Sequence, residues 1–207
     1  MLFTFALLAS LVSMPNDMIP AALARYENVA SYQTTLRVSH GRSNDIIKYF
    51  YKKPGFIRME FVTPHKGALL LYDPTTKRVR LQPFGNTKAF SLTLKPDNPL
   101  VKSPSGHRVD ESDIGTLLGR VLALQKQGQT TAAGEEHVGG KSTVLVNVEG
   151  KQGFTLDGTN RFLLNLDAAT LLPVQVRTYD GAGRLRETVL MDDLEIDIPF
   201  DEQFFKP

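Results

Sequence analysis

At 207 residues the chain has the length of one domain or slightly more, and 42% hydrophobic against 22% charged residues supplies apolar surface for a sizeable core, which excludes wholesale disorder. Its 24 basic and 22 acidic residues give a formal charge of +2 and are mixed along the chain, so no basic footprint for a nucleic-acid backbone exists and nucleic acid is not expected as a partner. Cysteine is absent, which removes disulfides, thiolate metal sites, thiol nucleophiles and a lipidated N-terminal cysteine, and leaves the redox compartment open.

From Leu2 to Met14 the residues are almost all apolar, a run too short to span a bilayer and of the right length for the hydrophobic stretch of a secretory signal. Residues 1–15 are therefore expected to be a signal peptide, cut before Asn16, with only the α-amino group standing for the usual basic leader. The alternative is an apolar first helix packed on the core. The remainder, 16–207, is then a single exported domain.

After Pro15, the residues Ile19, Ala22, Leu23, Tyr26 and Val29 recur at three- and four-residue spacing and predict a short helix with Asp17 as its cap. From Tyr32 the period changes to two. Leu36 and Val38 oppose Arg37 and Ser39, and Ile57, Met59 and Phe61 oppose Arg58 and Glu60. The same alternation continues through Val79 and Leu81, then Phe90, Leu92 and Leu94. Short polar turns such as Lys53-Pro54-Gly55 and Asp73-Pro74-Thr75-Thr76 separate these runs, and connections this short join antiparallel neighbours. A loop rich in Pro, Ser, Gly and Asn follows from Pro96 to Arg108, longer than a hairpin needs and so a candidate functional element.

Asp110 to Gln127 predicts the clearest helix, with Ile114, Leu117, Leu118, Val121 and Leu122 on one stripe and Gly128 as its stop. Strands resume after Gly139-Gly140: Val144 to Val148, Phe162 to Leu166, Val174 and Val176, Leu185 to Leu190, and Leu194 to Ile198. About ten strands are expected, near the size at which an open twisted sheet must curl or split. The fold class is therefore mainly β, with two or three helices covering the apolar side of a strongly curved antiparallel sheet.

Signals for catalysis are weak. Gly140-Lys141-Ser142 ends like a phosphate-binding loop, but the opening glycine would fall at Glu135 and a strand follows instead of a helix, so a hairpin turn is the better reading. His40, His65, His107 and His137 are scattered without metal-ligand spacing, and neither a metal nor a cofactor is expected. Ser103-Pro104-Ser105-Gly106-His107 lacks the strand-turn-helix setting of an exposed nucleophile. Asp192, Asp193, Glu195 and Asp197 interleave with apolar residues and read as a solvated strand face. No nucleophile and base pair is selected, and the chain is not expected to be an enzyme. Tyr49, Phe50, Tyr51, Phe56 and Phe61 fit core packing or the wall of a cavity.

Tyr51 to Phe61, Gly67 to Asp73, Leu166 to Val176 and the ending Ile198-Pro199-Phe200-Asp201-Glu202-Gln203-Phe204-Phe205 together resemble the outer-membrane lipoprotein-sorting and carrier family (LolA-like) over nearly all the chain after Pro15. The resemblance implies an unclosed half-barrel capped by helices, a periplasmic location, and an apolar cavity for the acyl chains of a lipoprotein or lipid. It further implies inner- and outer-membrane protein partners. A basic residue before the strand-turn proline, usually arginine in the carriers, helps hold the helical lid, and the matching position here is Lys53. Lysine lacks arginine's planar fork. Relatives of the same fold serve other ends, so the resemblance does not name the cargo.

The expected cavity wall comprises Leu36, Tyr49, Ile57, Met59, Phe61, Leu69, Leu71, Val79 and Leu81 from strands, with Leu117, Leu118 and Val121 from the helix. On that basis Leu118→Glu is expected to weaken acyl binding without unfolding the chain. A second reading of the same fold is a cell-envelope interaction or sensor module that grips a protein segment. A monomer is expected, because Lys48, Arg78 and Arg80 discourage edge pairing of long strands.

Overall fold

The computed structural model describes residues 15–83 and 90–206. The apolar run from Leu2 to Met14, expected to be a signal segment, lies outside the described residues. The chain enters through a 3-10 turn at Pro15–Asp17 into α1 (Met18–Glu27). Met18, Ile19, Ala22 and Tyr26 form its buried stripe, at the spacing the sequence shows. Pro20 falls in the first turn, where its missing N–H breaks no helical bond. Asp17 stands at the cap position, but its side chain makes no capping hydrogen bond, contrary to expectation.

Six strands follow: β1 (Ser31–His40), β2 (Ser43–Lys52), β3 (Phe56–Thr63), β4 (Leu69–Asp73), β5 (Arg78–Gln82) and β6 (Leu92–Leu94). The loop then leads through 3-10 turns at Pro99–Val101 and Val109–Glu111 into α2 (Ile114–Gln125). This helix starts at Ile114, four residues later than the expected start at Asp110. Asp113 supplies a true cap, its carboxylate accepting from the Thr116 backbone N–H at 3.1 Å. Five strands complete the chain: β7 (Gly128–Val138), β8 (Lys141–Gly150), β9 (Arg161–Asp167), β10 (Pro173–Tyr179) and β11 (Leu185–Ile196).

All eleven strands form one antiparallel sheet in the order β6-β5-β4-β3-β2-β1-β11-β10-β9-β8-β7. Two meanders are thus joined through β1 and β11, whose pairing places Leu36 opposite Met191 and Val38 opposite Val189. β6 and β7 are the two free edges, so the sheet is an unclosed half-barrel, as expected. Two details differ from the sequence reading. The sequence pattern does not predict β7, because as an edge strand it is exposed on nearly every residue and carries no alternation. Leu185 to Ile196 is one strand where the pattern predicts two.

α1 and α2 pack on each other, and α2 packs on β8 and β7. The core lies between them and the inner face of the sheet. Ile19, Ile57, Val79, Leu118, Val121, Val146, Leu164 and Leu166 are fully buried or nearly so there. The outer face has an apolar cover of its own at the C-terminus. Phe200, Phe204 and Phe205 pack on Phe50 and Phe56, with the Arg58 guanidinium 4.7 Å from the Phe204 ring and donating to the Phe204 carbonyl at 2.9 Å. β4 is therefore buried on both faces.

Candidate binding cavity

An alternating strand next to a helical cover leaves space wherever the cover is shorter than the floor. Here the Pro99–Asp113 segment, continued by Ile114 and Leu117 of α2, closes over the inner face of β1 to β5. Beneath it lies a cavity of about 630 Å³, inside the range of roughly 300–1,000 Å³ common for small-molecule sites. Its floor runs across the sheet through Leu81, Leu70, Met59, Phe61, Ile47, Leu36, Val38, Met191, Val189, Val176 and Phe162. The cross-strand register explains this row: Leu81 faces Leu70, Leu70 faces Met59, Phe61 faces Ile47, and Ile47 faces Leu36. Leu100, Val101 and Val109 from the loop, with Ile114 and Leu117 from α2, form the roof.

A tyrosine cluster fastens the start of α2 to the sheet. Tyr26 donates to Asp113 at 3.0 Å, the Tyr32 hydroxyl accepts from the Ile114 backbone N–H at 3.1 Å, and Tyr49 lies 3.1 Å from the Ser112 hydroxyl. Tyr32 stacks on Tyr49 and Tyr51 at ring distances of 5.8 and 5.0 Å. Burial pushes the Tyr26, Tyr32 and Tyr49 phenols above their ordinary value, so they stay neutral.

The opposite end of the cavity is polar. Glu187 of β11 faces Thr178 of β10, and both line the space with Thr159, Asp157, Arg120 and His107. The Glu187 side chain is only 9% exposed. It accepts a hydrogen bond from Ser105 and stands 3.9 Å from His107 Nε2. Arg120 contacts His107 Nδ1 at 3.2 Å and pairs with Glu111 at 2.6 Å and Asp157 at 3.7 Å. The sequence reading does not single out Glu187, although it sits at even spacing from Val189 and Met191 and so on their face of the strand.

Of the residues expected to form the wall, Leu36, Tyr49, Met59, Phe61, Leu81 and Leu117 line this cavity. Leu118, Val121, Ile57 and Val79 do not. They belong to the closed core, and Ile57 also borders a separate depression beside α1. Leu69 and Leu71 are a correction of face: their neighbours Leu70 and Tyr72 pair with the inward Met59 and Ile57, so Leu69 and Leu71 point to the outer side. Lys53 lies in that depression beside α1, donating to the Glu27 carbonyl at 2.6 Å, with its ammonium 5.7 Å from the Tyr26 ring. It thus holds the end of α1. Among the described residues no group of three or more metal-ligating side chains converges, and no helix is long and apolar enough to cross a membrane.

No family model matches the chain, and no curated protein matches it. Solved structures do. The complex structure of Pseudomonas aeruginosa MucA/MucB is similar over 93% of this chain, with a TM-score of 0.58 and 17% identity, and this chain spans 60% of the matched chain. Mycobacterium tuberculosis lipoprotein LppX is similar over 90% of this chain and 96% of its own, at TM-score 0.56 and 9% identity. An uncharacterized conserved protein from Thermus thermophilus gives TM-score 0.56 at 11% identity, over 92% of this chain and 91% of its own. At such identities the likeness is one of fold alone: this chain shares its fold with these structures.

Proposed function

We propose that the chain is an exported, periplasmic carrier or binding protein that holds the acyl chains of a lipoprotein or lipid in the cavity beneath the Pro99–Asp113 segment. The observation that carries this reading is the continuous apolar floor from Leu81 to Phe162 under an apolar roof. Each methylene buried there contributes about 0.8 kcal/mol, so roughly ten carbons give about 8 kcal/mol before ordering costs. The apolar run from Leu2 to Met14 supports export, and the LolA-like fold supports a carrier or binding module. The contact residues on this reading are Leu36, Met59, Phe61, Leu81 and Leu117. Inner- and outer-membrane proteins would load and unload the cargo.

The test is native mass spectrometry of protein purified gently from the cell envelope, followed by denaturation and lipid analysis. A stoichiometric acylated species is the expected result and would name the cargo class. A second reading, an envelope interaction module that grips a protein segment, is favoured by the likeness to a MucA/MucB complex and by Leu100, which is 65% exposed at the cavity mouth. An empty protein that also rejects added acyl probes would overturn the carrier reading in favour of this one.

A further inference from the structure

Resting on the acyl-binding reading, we propose that the Glu187 end of the cavity is a head-group subsite that selects an amphiphile carrying a protonated amine. A cavity that served hydrocarbon alone would have no use for a carboxylate on its floor, since a buried charge without a cation is costly. Yet among the described residues Glu187 has no lysine or arginine ion pair, only the Ser105 hydroxyl and an imidazole beyond hydrogen-bond reach at 3.9 Å.

The arginines of this region are already engaged. Arg120 is shared by Glu111 and Asp157, and Arg108 by Asp110 and Glu111, while Lys102 stands exposed on the loop. Arg186 donates to the Asp157 carbonyl and to Thr159, both at 2.9 Å. His107 does not supply the missing cation. Its Nδ1 faces Arg120 and must accept there, which fixes the proton of a neutral ring on Nε2. Burial lowers the imidazole below its ordinary value and the guanidinium of Arg120 lowers it further, against the opposing pull of Glu187.

An ammonium supplies what the site lacks: one positive charge and three donors without an acceptor. Glu187 takes the charge-assisted bond, and the Thr178 hydroxyl directly across the β10–β11 pair offers a neighbouring acceptor. The chain of such a ligand then runs over Val189, Val176 and Met191 towards Leu36 and Met59. A carboxylate or phosphate head at the same place would meet Glu187 with like charge.

The test is displacement of the neutral apolar dye N-phenyl-1-naphthylamine at pH 7 by three twelve-carbon competitors below their micelle concentrations: dodecylammonium, dodecanol and dodecanoate. In the native protein dodecylammonium should displace the dye at about tenfold lower concentration than dodecanoate. Glu187→Gln should bring the two within about twofold of each other while dodecanol is unchanged. Equal displacement by both ions in the native protein, or an unchanged preference in Glu187→Gln, would overturn the subsite and leave the acyl cavity standing. Failure of the dye and of every competitor to bind would overturn the acyl cavity itself. Should Glu187→Gln not fold, Ser105→Ala decides, since it frees the carboxylate of its internal donor: tighter dodecylammonium with unchanged dodecanol supports the subsite, and any other pattern overturns it.

Discussion

Two adjacent leucines of α2 separate stability from binding. Leu118 is 0% exposed and belongs to the core cluster, whereas Leu117 is partly exposed and lines the cavity roof. Leu118→Ala removes buried methyl groups from a site closed on all sides, which costs about 3–5 kcal/mol in comparable cores. With a urea dependence of about 2 kcal/mol per molar, the unfolding midpoint should fall by about 1.5–2.5 M. Leu118→Glu would bury a charge and should unfold the chain, so the expectation that it reports on binding alone gives way to the structure. Leu117→Ala removes only partly buried packing at the edge of the core, and its unfolding midpoint should move by less than about 0.5 M. What it removes is roof area against a bound chain, worth about 1–2 kcal/mol, or a 5- to 30-fold rise in the Kd of an acyl probe. Urea titration followed by circular dichroism, alongside dye binding on each variant, measures both effects. The reasoning is refuted if Leu118→Ala loses binding at unchanged stability, or if Leu117→Ala loses stability at unchanged binding.

Other substitutions and conditions test the frame around the cavity. Gly115→Ala should destabilise by about 1–3 kcal/mol in a thermal melt despite the helix propensity of alanine, because its Cβ would sit 2.3 Å from the Tyr26 ring; a raised Tm would show that the α1–α2 contact yields. Burial opposes ionisation of Asp167, but the Thr170 and Ala169 backbone N–H groups and Lys141 outweigh it and hold the carboxyl below its ordinary value. Because the folded value is the lower one, this stabilisation is present above the unfolded value of about 3.9 and lost as pH falls from there through the folded value. Asp167→Asn should therefore flatten the acid limb of urea midpoints measured between about pH 3 and 7, and an unchanged slope would assign the limb to other groups. The phenols of Tyr26, Tyr32 and Tyr49 are raised chiefly by burial, so their contribution is intact below about pH 10 and lost as pH climbs beyond it. Ultraviolet titration should show these tyrosines ionising only together with unfolding, whereas smooth independent ionisation would mean that the cluster is open to solvent.

Local chemistry is legible wherever one side of an element is wet. Leu36 and Val38 alternate with Arg37 and Ser39, and β1 forms with Leu36 and Val38 facing inward. The stripe of α1 and the late-chain strands are legible for the same reason. β7 is not, since Gln129 to His137 face solvent on nearly every residue and an edge strand needs no apolar face to pair. β4 fails differently. Leu69, Leu70, Leu71 and Tyr72 are all buried, and a continuous apolar run cannot say which residue faces which layer. Leu118 and Val121 look like Leu117 in the sequence because a helical stripe records burial without recording whether sheet or cavity lies beneath it.

The sequence by itself determined the mainly β class, the antiparallel order within each meander and the helix inserted between them, because periodicity and short turns are local and each residue carries its own signal, while the unclosed half-barrel was implied by the family resemblance. Only the tertiary structure decided where the cavity lies. The joining of β1 to β11, the fold of Pro99–Asp113 over the floor, the C-terminal phenylalanines on the outer face and the meeting of Glu187 with Ser105 and His107 are contacts between distant segments. Such contacts are selected by how whole layers pack, and no window of neighbouring residues contains them.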